Sequence, residues 1–304
     1  MRILINRLKN IFYYWFGVGI FILNKLRYGV QGYVRPRPFS ASDFEKAIEY
    51  DISVVNHWMN YIKKYTLNQA SLKNKVVLEL GPGADLGTGF ALLAKGIAHY
   101  YAIDVNNLAA NTPISFYTMM LDRISHSQDF RDIDKGKLTE QIEQMRKGQQ
   151  GLIKYVCRKD FDISIFGKAS IDYILSQAAF EHFHDVPHVM KQLSEVARTG
   201  AILLAEIDLQ THTGVLRKRD PLNIYRYSHF LYQLLYFTGI PNRVRPYEYK
   251  ELLQQNGWKN ITVYPLNQLA KAQYQKVVRS LHTRFQSSQS EMQYLSIIIC
   301  ATKG

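Results

Sequence analysis

The sequence predicts an α/β domain built on a doubly wound, mostly parallel sheet of seven strands, with an N-terminal helical extension before it. Two observations indicate this fold class. Short apolar runs of strand length alternate with longer helical patterns along most of the chain. The chain has 304 residues, of which 47% are hydrophobic, so it can bury a large core. One domain of about residues 39–304 therefore suffices, after a basic and apolar segment at residues 1–38.

The N-terminal segment combines basic charge with an apolar run. Residues 1–42 contain seven basic side chains and no acidic one, and residues 11–23 are continuously apolar or aromatic, apart from two glycines. The run is shorter than the roughly 20 apolar residues that cross a bilayer, and no small-residue cleavage site follows it. We predict a helix in the membrane interface, a depth that suits Trp15 and the pair Tyr13 and Tyr14. The alternative is a helix packed on the domain's own core.

Seven apolar runs in the domain have the length and the flanking turns of strands. In chain order they are residues 75–80, 99–105, 153–157, 170–176, 201–207, 258–264 and 294–301. Helical patterns separate most of them, as expected for parallel strands joined by crossover helices.

Helical spacing of apolar side chains marks the connecting segments. The predicted helices cover residues 42–65, a stretch ending near Gly96, residues 114–125, 137–147, a stretch between Asp185 and Gly200, and residues 247–256 and 266–281. Ser42 and Glu45 make a capping box for the first helix, and Asp185 with Pro187 starts the helix before the fifth strand. Residues 106–151 are longer than one connection needs, so we interpret them as a helical insertion.

The charge balance favours an anionic partner. Thirty-eight lysines and arginines against 25 acidic residues give a formal charge of +13, which suits nucleic acid, acidic lipid or a phosphorylated substrate. The concentration of basic charge beside an apolar run favours lipid, so no nucleic-acid partner is expected. Cys157 and Cys300 are too few for a disulfide framework or a zinc cluster, so a reducing compartment is expected.

A glycine-rich turn after the first strand carries the clearest functional signal. Gly81 and Gly83 allow the backbone to turn tightly and to approach a ligand at the start of the next helix. The dinucleotide fingerprint would need glycine where the chain has Leu86. Glu79 would repel a pyrophosphate but would suit a cationic amine. Asp104 ends the second strand, where an acid can accept hydrogen bonds from both ribose hydroxyls.

With these residues the sequence resembles the class I S-adenosylmethionine-dependent methyltransferases, over about residues 74–303. The resemblance implies S-adenosylmethionine as the cofactor and a closing antiparallel hairpin of the last two strands. It assigns the cofactor contacts to Glu79, Gly81, Gly83, Asp104, Asp160 and Gln177, with Asp162 as the alternative to Asp160 on the adenine side.

The segment after the fourth strand reads Glu181-His182-Phe183-His184-Asp185 and should border the transferred methyl group. Histidine is the usual proton acceptor near neutral pH, so we predict His182 or His184 as a general base. The alternative is that these residues only position the cofactor or cap a helix. Some relatives hold a divalent cation with a Glu-x-x-x-Glu-His pattern, but Gln177 replaces its first glutamate, so no metal is predicted. A cation held by Glu181 and His182 alone, which would be a thin site, is the alternative to a general base.

The acceptor contacts are predicted from residues that recognise sugars, phosphates or carboxylates. Arginine forks suit anions, and aromatic faces suit sugar rings. The predicted acceptor contacts are Glu181, Tyr227, Arg243 and Arg245, and further candidates near the fifth strand are Glu206, Asp208, His212, Arg226 and His229. The alternative is that the tyrosines are packing residues and the arginines lie on a solvated face.

The resemblance and the N-terminal segment together predict an O-methyltransferase for a sugar hydroxyl, in a polysaccharide or a lipid-linked saccharide. Bacterial proteins similar to this one, with an apolar basic N-terminus, are associated with such assemblies, so we expect a cytoplasmic enzyme on the inner face of the membrane. Alternatives are methylation of a quinone precursor or another lipid, methylation of nucleic acid, and a non-catalytic S-adenosylmethionine-binding protein. The sequence leaves the oligomeric state open.

Overall fold

A computed structural model describes residues 2–32, 43–130 and 133–304 of the chain. The predicted capping box, which depends on Ser42, lies outside the described residues, as do residues 33–38 of the N-terminal segment.

The predicted seven-stranded sheet is confirmed. Its strands are β1 (Val76–Leu80), β2 (His99–Asp104), β3 (Ile153–Cys157), β4 (Ile171–Gln177), β5 (Ala197–Asp208), β6 (Trp258–Gln268) and β7 (Tyr294–Lys303). They lie in the order β3-β2-β1-β4-β5-β7-β6. The first five are parallel, and β7 is antiparallel to both β5 and β6, as the predicted closing hairpin requires.

Helices cover both faces of the sheet. In chain order they are α1 (Arg2–Gln31), α2 (Phe44–Tyr65), α3 (Gly87–Ala94), α4 (Ile114–Ser125), α5 (Lys135–Arg146), α6 (Val186–Val196), α7 (Gly214–Arg219), α8 (His229–Leu234), α9 (Pro246–Gln255) and α10 (Lys271–Val277). One core cluster joins the sheet to α2, α3, α4 and α5, and a second joins the opposite face to α6 and α9. Both faces of the sheet are buried by helices, which explains why the central strands are mostly apolar.

The strand order places a crevice at the carboxyl ends of β1 and β4. From β1 the chain winds outward to β2 and β3, and it then returns to β4 on the other side of β1. The loops after these two neighbouring strands diverge, and open α/β sheets bind ligands at such a switch point.

Two predicted boundaries were wrong, both near the closing hairpin. β5 begins at Ala197, directly after α6, so Gly200 lies inside a strand, at a φ of 82°, and does not terminate the helix. The predicted helix at residues 266–281 shrinks to α10, because β6 continues to Gln268, which pairs with Tyr294. Pairing with β7 thus overrides the local helical pattern.

The N-terminal helix α1 packs on a third core cluster, formed mainly by residues between β5 and α9 and between α10 and β7. Gly17 permits the close approach, because a Cβ there would lie 2.1 Å from the Tyr227 hydroxyl. The Asn223 side chain donates a hydrogen bond of 2.9 Å to the Tyr13 carbonyl, and the Tyr14 ring packs edge-on against Tyr227. One face of α1 therefore fits the core-packing alternative, and Tyr14 belongs to that face.

The opposite face of α1 is exposed and apolar. Its exposed side chains are Leu8, Ile11, Phe12, Trp15, Phe16, Ile22, Leu23, Leu26 and Val30. Trp15 is 66% exposed, and basic side chains such as Arg7, Lys9 and Arg27 also reach solvent. Of the helices in the described ranges, none combines the length and the apolar character needed to cross a bilayer.

Candidate functional site

The glycine turn lies at the carboxyl end of β1. Gly81 and Gly83 have φ angles of 71° and 82°, in the left-handed region that glycine adopts without strain. A Cβ at Gly81 would lie 2.8 Å from the Cβ of Ala179, so glycine is needed for the β1 turn to approach the loop after β4. In the described part of the chain, no atom lies within 4 Å of a Cβ built at Gly83, which leaves room for a ligand.

Glu79 is buried beneath this turn. Its Oε2 accepts hydrogen bonds from the Thr88 hydroxyl, at 2.5 Å, and from the Tyr100 hydroxyl, at 2.6 Å. Both donors bind the same oxygen, so neither of them occupies Oε1. Burial raises the pKa of Glu79 to about 7, and a cationic group beside it would favour the ionised form.

Asp104 ends β2 and ties the second strand to the glycine turn. Its two oxygens accept hydrogen bonds from the backbone N–H groups of Gly83, at 3.3 Å, and Asn106, at 2.9 Å. The side chain is 9% exposed, and burial raises its pKa. Asp104 thus stands at the end of its strand, next to the turn, as the sequence analysis predicts for a ribose contact.

A second pair of acids lies near the turn, and the sequence analysis did not identify it. Asp85 accepts a hydrogen bond of 2.8 Å from the backbone N–H of Gly87, at the start of α3. Asp51, from α2, approaches so closely that a Cβ at Gly87 would lie 1.9 Å from its Oδ2. Burial, and then the neighbouring Asp85, raise the pKa of Asp51 well above its usual range.

These four carboxyl groups test the fit of the predicted cofactor. The acids near the turn are Glu79, Asp51, Asp85 and Asp104, and all are at most 9% exposed. Such surroundings disfavour a pyrophosphate and suit a ligand with positive charge. S-adenosylmethionine carries a sulfonium and an ammonium group, so the residues present fit it.

The two candidates for the adenine side differ in their environment. Asp160 is exposed and accepts two hydrogen bonds from the Arg158 guanidinium, which lower its pKa to about 2. Asp162 accepts hydrogen bonds from the Ser164 backbone and the Gln192 side chain, so it caps the short helical turn that follows. The backbone N–H of Arg158 also donates to the Asp104 carbonyl, at 2.9 Å, which holds this loop at the same edge of the sheet. Asp160 stays the preferred candidate.

Gln177 is the last residue of β4, and the loop after it continues into a 3-10 turn at Phe180–His182. Ala178 has a φ of 51°, which bends the chain away from the strand. The buried Oε1 of Gln177 accepts no hydrogen bond within the described ranges. Asn242 fixes the turn, because its backbone N–H donates to the Glu181 carbonyl, at 2.7 Å, and its side chain donates to the Phe180 carbonyl, at 2.8 Å.

The two predicted bases have different surroundings. His182 is half-buried, and its ring centroid lies 4.9 Å from that of His212, in the loop after β5. Burial, and then His212, lower the pKa of His182 to about 4, so this imidazole is neutral at pH 7 and is a weak base. His184 is exposed, and its Nε2 contacts the Tyr236 hydroxyl.

Three predicted acceptor contacts are buried in structural roles. Arg243 is 3% exposed and donates to the carbonyls of Ile224 and Tyr227. Arg245 is fully buried, and its guanidinium donates to the carbonyls of Ser290, Glu291 and Tyr294 and to the Tyr225 hydroxyl. Tyr227 is also buried, against α1. The expectation that Arg243, Arg245 and Tyr227 contact the acceptor is corrected, because their polar groups already bind the protein itself.

Glu181 is the one remaining predicted acceptor contact. Its side chain is 2% exposed, and neither carboxylate oxygen has a hydrogen-bond partner among the residues that the structure describes. Burial raises its pKa well above the usual range. A buried carboxyl group without a partner is costly, which indicates that it serves a ligand.

Comparisons with known proteins place these observations in a family. A family model described as a methyltransferase domain matches residues 55–263, well over half of the chain. No curated protein matches.

Three solved structures give the extent of the structural likeness. Phosphoethanolamine N-methyltransferase 2 from Haemonchus contortus, in complex with S-adenosyl-L-methionine, is 13% identical at a TM-score of 0.44, covering 84% of this chain and 52% of that one. An S-adenosylmethionine-dependent methyltransferase from Mesorhizobium loti is 12% identical at a TM-score of 0.42, and the match covers 79% of this chain and 96% of that one. A geranyl diphosphate methyltransferase in complex with SAM is 12% identical at a TM-score of 0.42, and the match covers 84% of this chain and 85% of that one. This chain spans about half the length of the Haemonchus protein.

The family match includes every element of the crevice. Residues 55–263 contain the glycine turn, Asp104, the loop after β4 and the end of β5. The strand order and the acidic, glycine-lined crevice agree with the predicted fold and cofactor. The chain therefore belongs to the methyltransferase domain family, and it is a class I methyltransferase that uses S-adenosylmethionine.

Proposed function

We propose that this enzyme methylates a hydroxyl group on a sugar, in a polysaccharide or a lipid-linked saccharide, at the cytoplasmic face of a membrane. The proposal of O-methylation rests on a group of side chains near the end of β4. Glu181, His182 and His212 have polar atoms without hydrogen-bond partners in the described part of the chain. These groups can bind a neutral hydroxyl as donor and as acceptor.

The chain's own residues divide the work between binding and proton transfer. When bound, S-adenosylmethionine supplies an electrophilic methyl group. Glu79 would hold its ammonium group, and Asp104 would hold its ribose. Asp160 and Gln177 would make the further contacts, and the absence of side chains at Gly81 and Gly83 would let it approach the backbone. His182 is enclosed and orients the acceptor hydroxyl. His184 is exposed next to Tyr236, so it can pass the hydroxyl proton to solvent.

The membrane part of the proposal is based on two helices that lie side by side. Lys25 of α1 donates a hydrogen bond of 2.7 Å to the Leu234 carbonyl, and the rings of Tyr28 and Phe237 lie 5.9 Å apart. Phe230 of α8 is 78% exposed, and Leu234 is 58% exposed. We call these two residues and the exposed apolar residues of α1 the α1/α8 surface. A broad apolar surface with basic side chains around it suits the interface of an anionic bilayer.

Charged substitutions on the α1/α8 surface should release the protein from vesicles. The double variant Phe12→Glu and Trp15→Glu loses apolar burial and adds negative charge, and we expect affinity for phosphatidylglycerol vesicles to fall by roughly tenfold or more. Co-sedimentation of the full chain measures this. The control is Leu67→Glu, which replaces a leucine that is 78% exposed after α2 and should leave binding unchanged. Equal binding of the double variant and the unaltered protein would refute membrane docking by this surface.

Transfer of a labelled methyl group tests the acceptor class. The purified protein is incubated with S-adenosylmethionine labelled in its methyl group and with a membrane extract of its source cells. We expect label in a glycan or glycolipid fraction, recovered as an O-methyl sugar after acid hydrolysis. Label confined to a quinone or a sugar-free lipid would support the lipid alternative, and nuclease-sensitive label would support nucleic acid. Cofactor binding with no transfer to any fraction would support a non-catalytic binding protein.

A further inference from the structure

Three potential metal ligands converge where the loops after β4 and β5 meet. Glu181, His182 and His212 each offer a ligand atom, and these atoms all lie within 4.8 Å of one another. We call these three residues the Glu181 cluster. Two ligand atoms on opposite sides of an ion, each about 2.1 Å from it, are about 4.2 Å apart. Small side-chain rotations therefore bring the three groups onto one ion.

The polar atoms of the Glu181 cluster make no hydrogen bond to the described residues, and the nearest charged group is Asp208, whose Oδ2 lies 3.4 Å from Nε2 of His212. Both oxygens of Glu181, Nδ1 of His182 and Nε2 of His212 are buried without a hydrogen bond to any described residue. Burying a carboxylate and two imidazoles without partners is costly, and three such groups at one point would compound that cost. A cation bound between them would compensate all three at once.

The backbone holds the Glu181 cluster in place from two sides. Asn242 binds the carbonyls of Phe180 and Glu181, which fixes the turn that carries two of the ligands. The backbone N–H of Thr211 donates to the Pro221 carbonyl, at 2.9 Å, next to His212. A site that is fixed before the ion arrives loses little conformational freedom on binding.

Asp208 adds a carboxylate beside the His212 side chain. Its Oδ2 lies 3.4 Å from Nε2 of His212, and it also accepts a hydrogen bond from Arg217. Because this carboxylate lies next to the nitrogen that would bind the ion, it adds negative charge beside a bound cation. The Arg217 guanidinium keeps Asp208 itself in position.

We propose that the Glu181 cluster binds one divalent transition-metal ion. Two imidazoles and one carboxylate suit zinc, iron(II), cobalt(II) or manganese(II), and they leave coordination positions open for a substrate. The ion sits at the carboxyl ends of β4 and β5, where the acceptor hydroxyl can occupy an open position. Coordination lowers the pKa of a bound hydroxyl, so a weak base suffices to remove its proton. This role in the reaction depends on the proposed O-methylation, whereas the ion's binding does not.

Cobalt(II) is a suitable probe because its visible absorption reports its ligands. The full-length protein, stripped with a chelator, is titrated with cobalt(II) without cofactor or acceptor, and bound metal is counted by equilibrium dialysis. We expect one ion per chain and a visible band. His212→Ala and Glu181→Gln should each weaken binding by at least about tenfold. The control His126→Ala, whose side chain is 75% exposed directly after α4, should bind as the unaltered protein does.

The outcomes separate the metal site from the proposed function. If the unaltered protein takes up no stoichiometric cobalt, or if His212→Ala binds as tightly as the control, the metal site is refuted. His212→Asn keeps much of the side chain's size, and an unchanged circular dichroism spectrum shows that a loss of metal is not a loss of fold. Stoichiometric cobalt with no sugar methylation would refute the acceptor proposal and leave the metal site standing. Sugar methylation by the chelator-stripped protein would refute the ion's role in the reaction and leave the acceptor proposal standing.

Discussion

Replacing Asp104 with alanine is expected to weaken S-adenosylmethionine binding on the order of 100-fold. A carboxylate that accepts two ribose hydrogen bonds contributes about 1.5 kcal/mol or more through each, and about 1.4 kcal/mol changes an equilibrium constant tenfold. The substitution also removes the acceptor for the Gly83 N–H, which loosens the turn that admits the ligand. Isothermal titration calorimetry of the full chain measures the affinity.

Two companion variants isolate the effect of the carboxylate. Asp104→Asn keeps the side-chain shape and should show an intermediate loss. Asp122→Ala removes an acid that is 76% exposed on α4, so it should leave the affinity unchanged. A thermal unfolding curve for Asp104→Ala with the cooperativity of the unaltered protein confirms that the fold is intact. Unchanged affinity in that variant would remove Asp104 from the site.

Replacing Arg245 with methionine is expected to lower the free energy of unfolding by about 3 kcal/mol or more. The guanidinium serves three carbonyls and one hydroxyl, and leaving buried acceptors unpaired costs about 1–3 kcal/mol each, part of which water can recover. Urea unfolding of the full chain measures the change.

The Arg245 variant also decides between the structural role and the acceptor role. Arg146→Met is the control, because that side chain is 57% exposed on α5 and forms its ion pair with the nearby Glu143. Its free energy of unfolding should change by less than about 1 kcal/mol. If Arg245→Met kept full stability and instead raised KM for the acceptor, Arg245 would return to the substrate site.

The fold and the cofactor end of the site could be predicted because local sequence determines them. The central strands β1 and β4 are buried on both faces, so each appears as a short apolar run. The bend after β1 needs residues that tolerate positive φ, which makes Gly81 and Gly83 visible in the sequence. Asp104 could be predicted as a site residue because it ends the second strand, beside that turn.

The acceptor end could not be predicted in the same way, because it depends on contacts between distant segments. An arginine in a sequence indicates a positive charge but not whether the side chain is buried. The sequence is therefore compatible with Arg245 binding an anionic ligand and with Arg245 having a structural role. Asp51 meets Asp85 only after α2 packs on α3, and nothing near either residue signals this. His212 joins His182 from another loop. The helix predicted at residues 266–281 failed for a similar reason, because the partner strand β7 decides where β6 ends.

The contacts between α1 and the reaction loop have a consequence for the choice of acceptor. Asn223 binds α1, Arg243 binds the Tyr227 carbonyl, and Asn242, its neighbour in the chain, binds the turn at Glu181. A protein that rests on lipid through α1 therefore carries its reactive centre at a fixed height above the headgroups. Under the proposed docking and acceptor, such an enzyme would select by distance: among chemically identical sugars, it would modify those whose tether to the lipid spans that height.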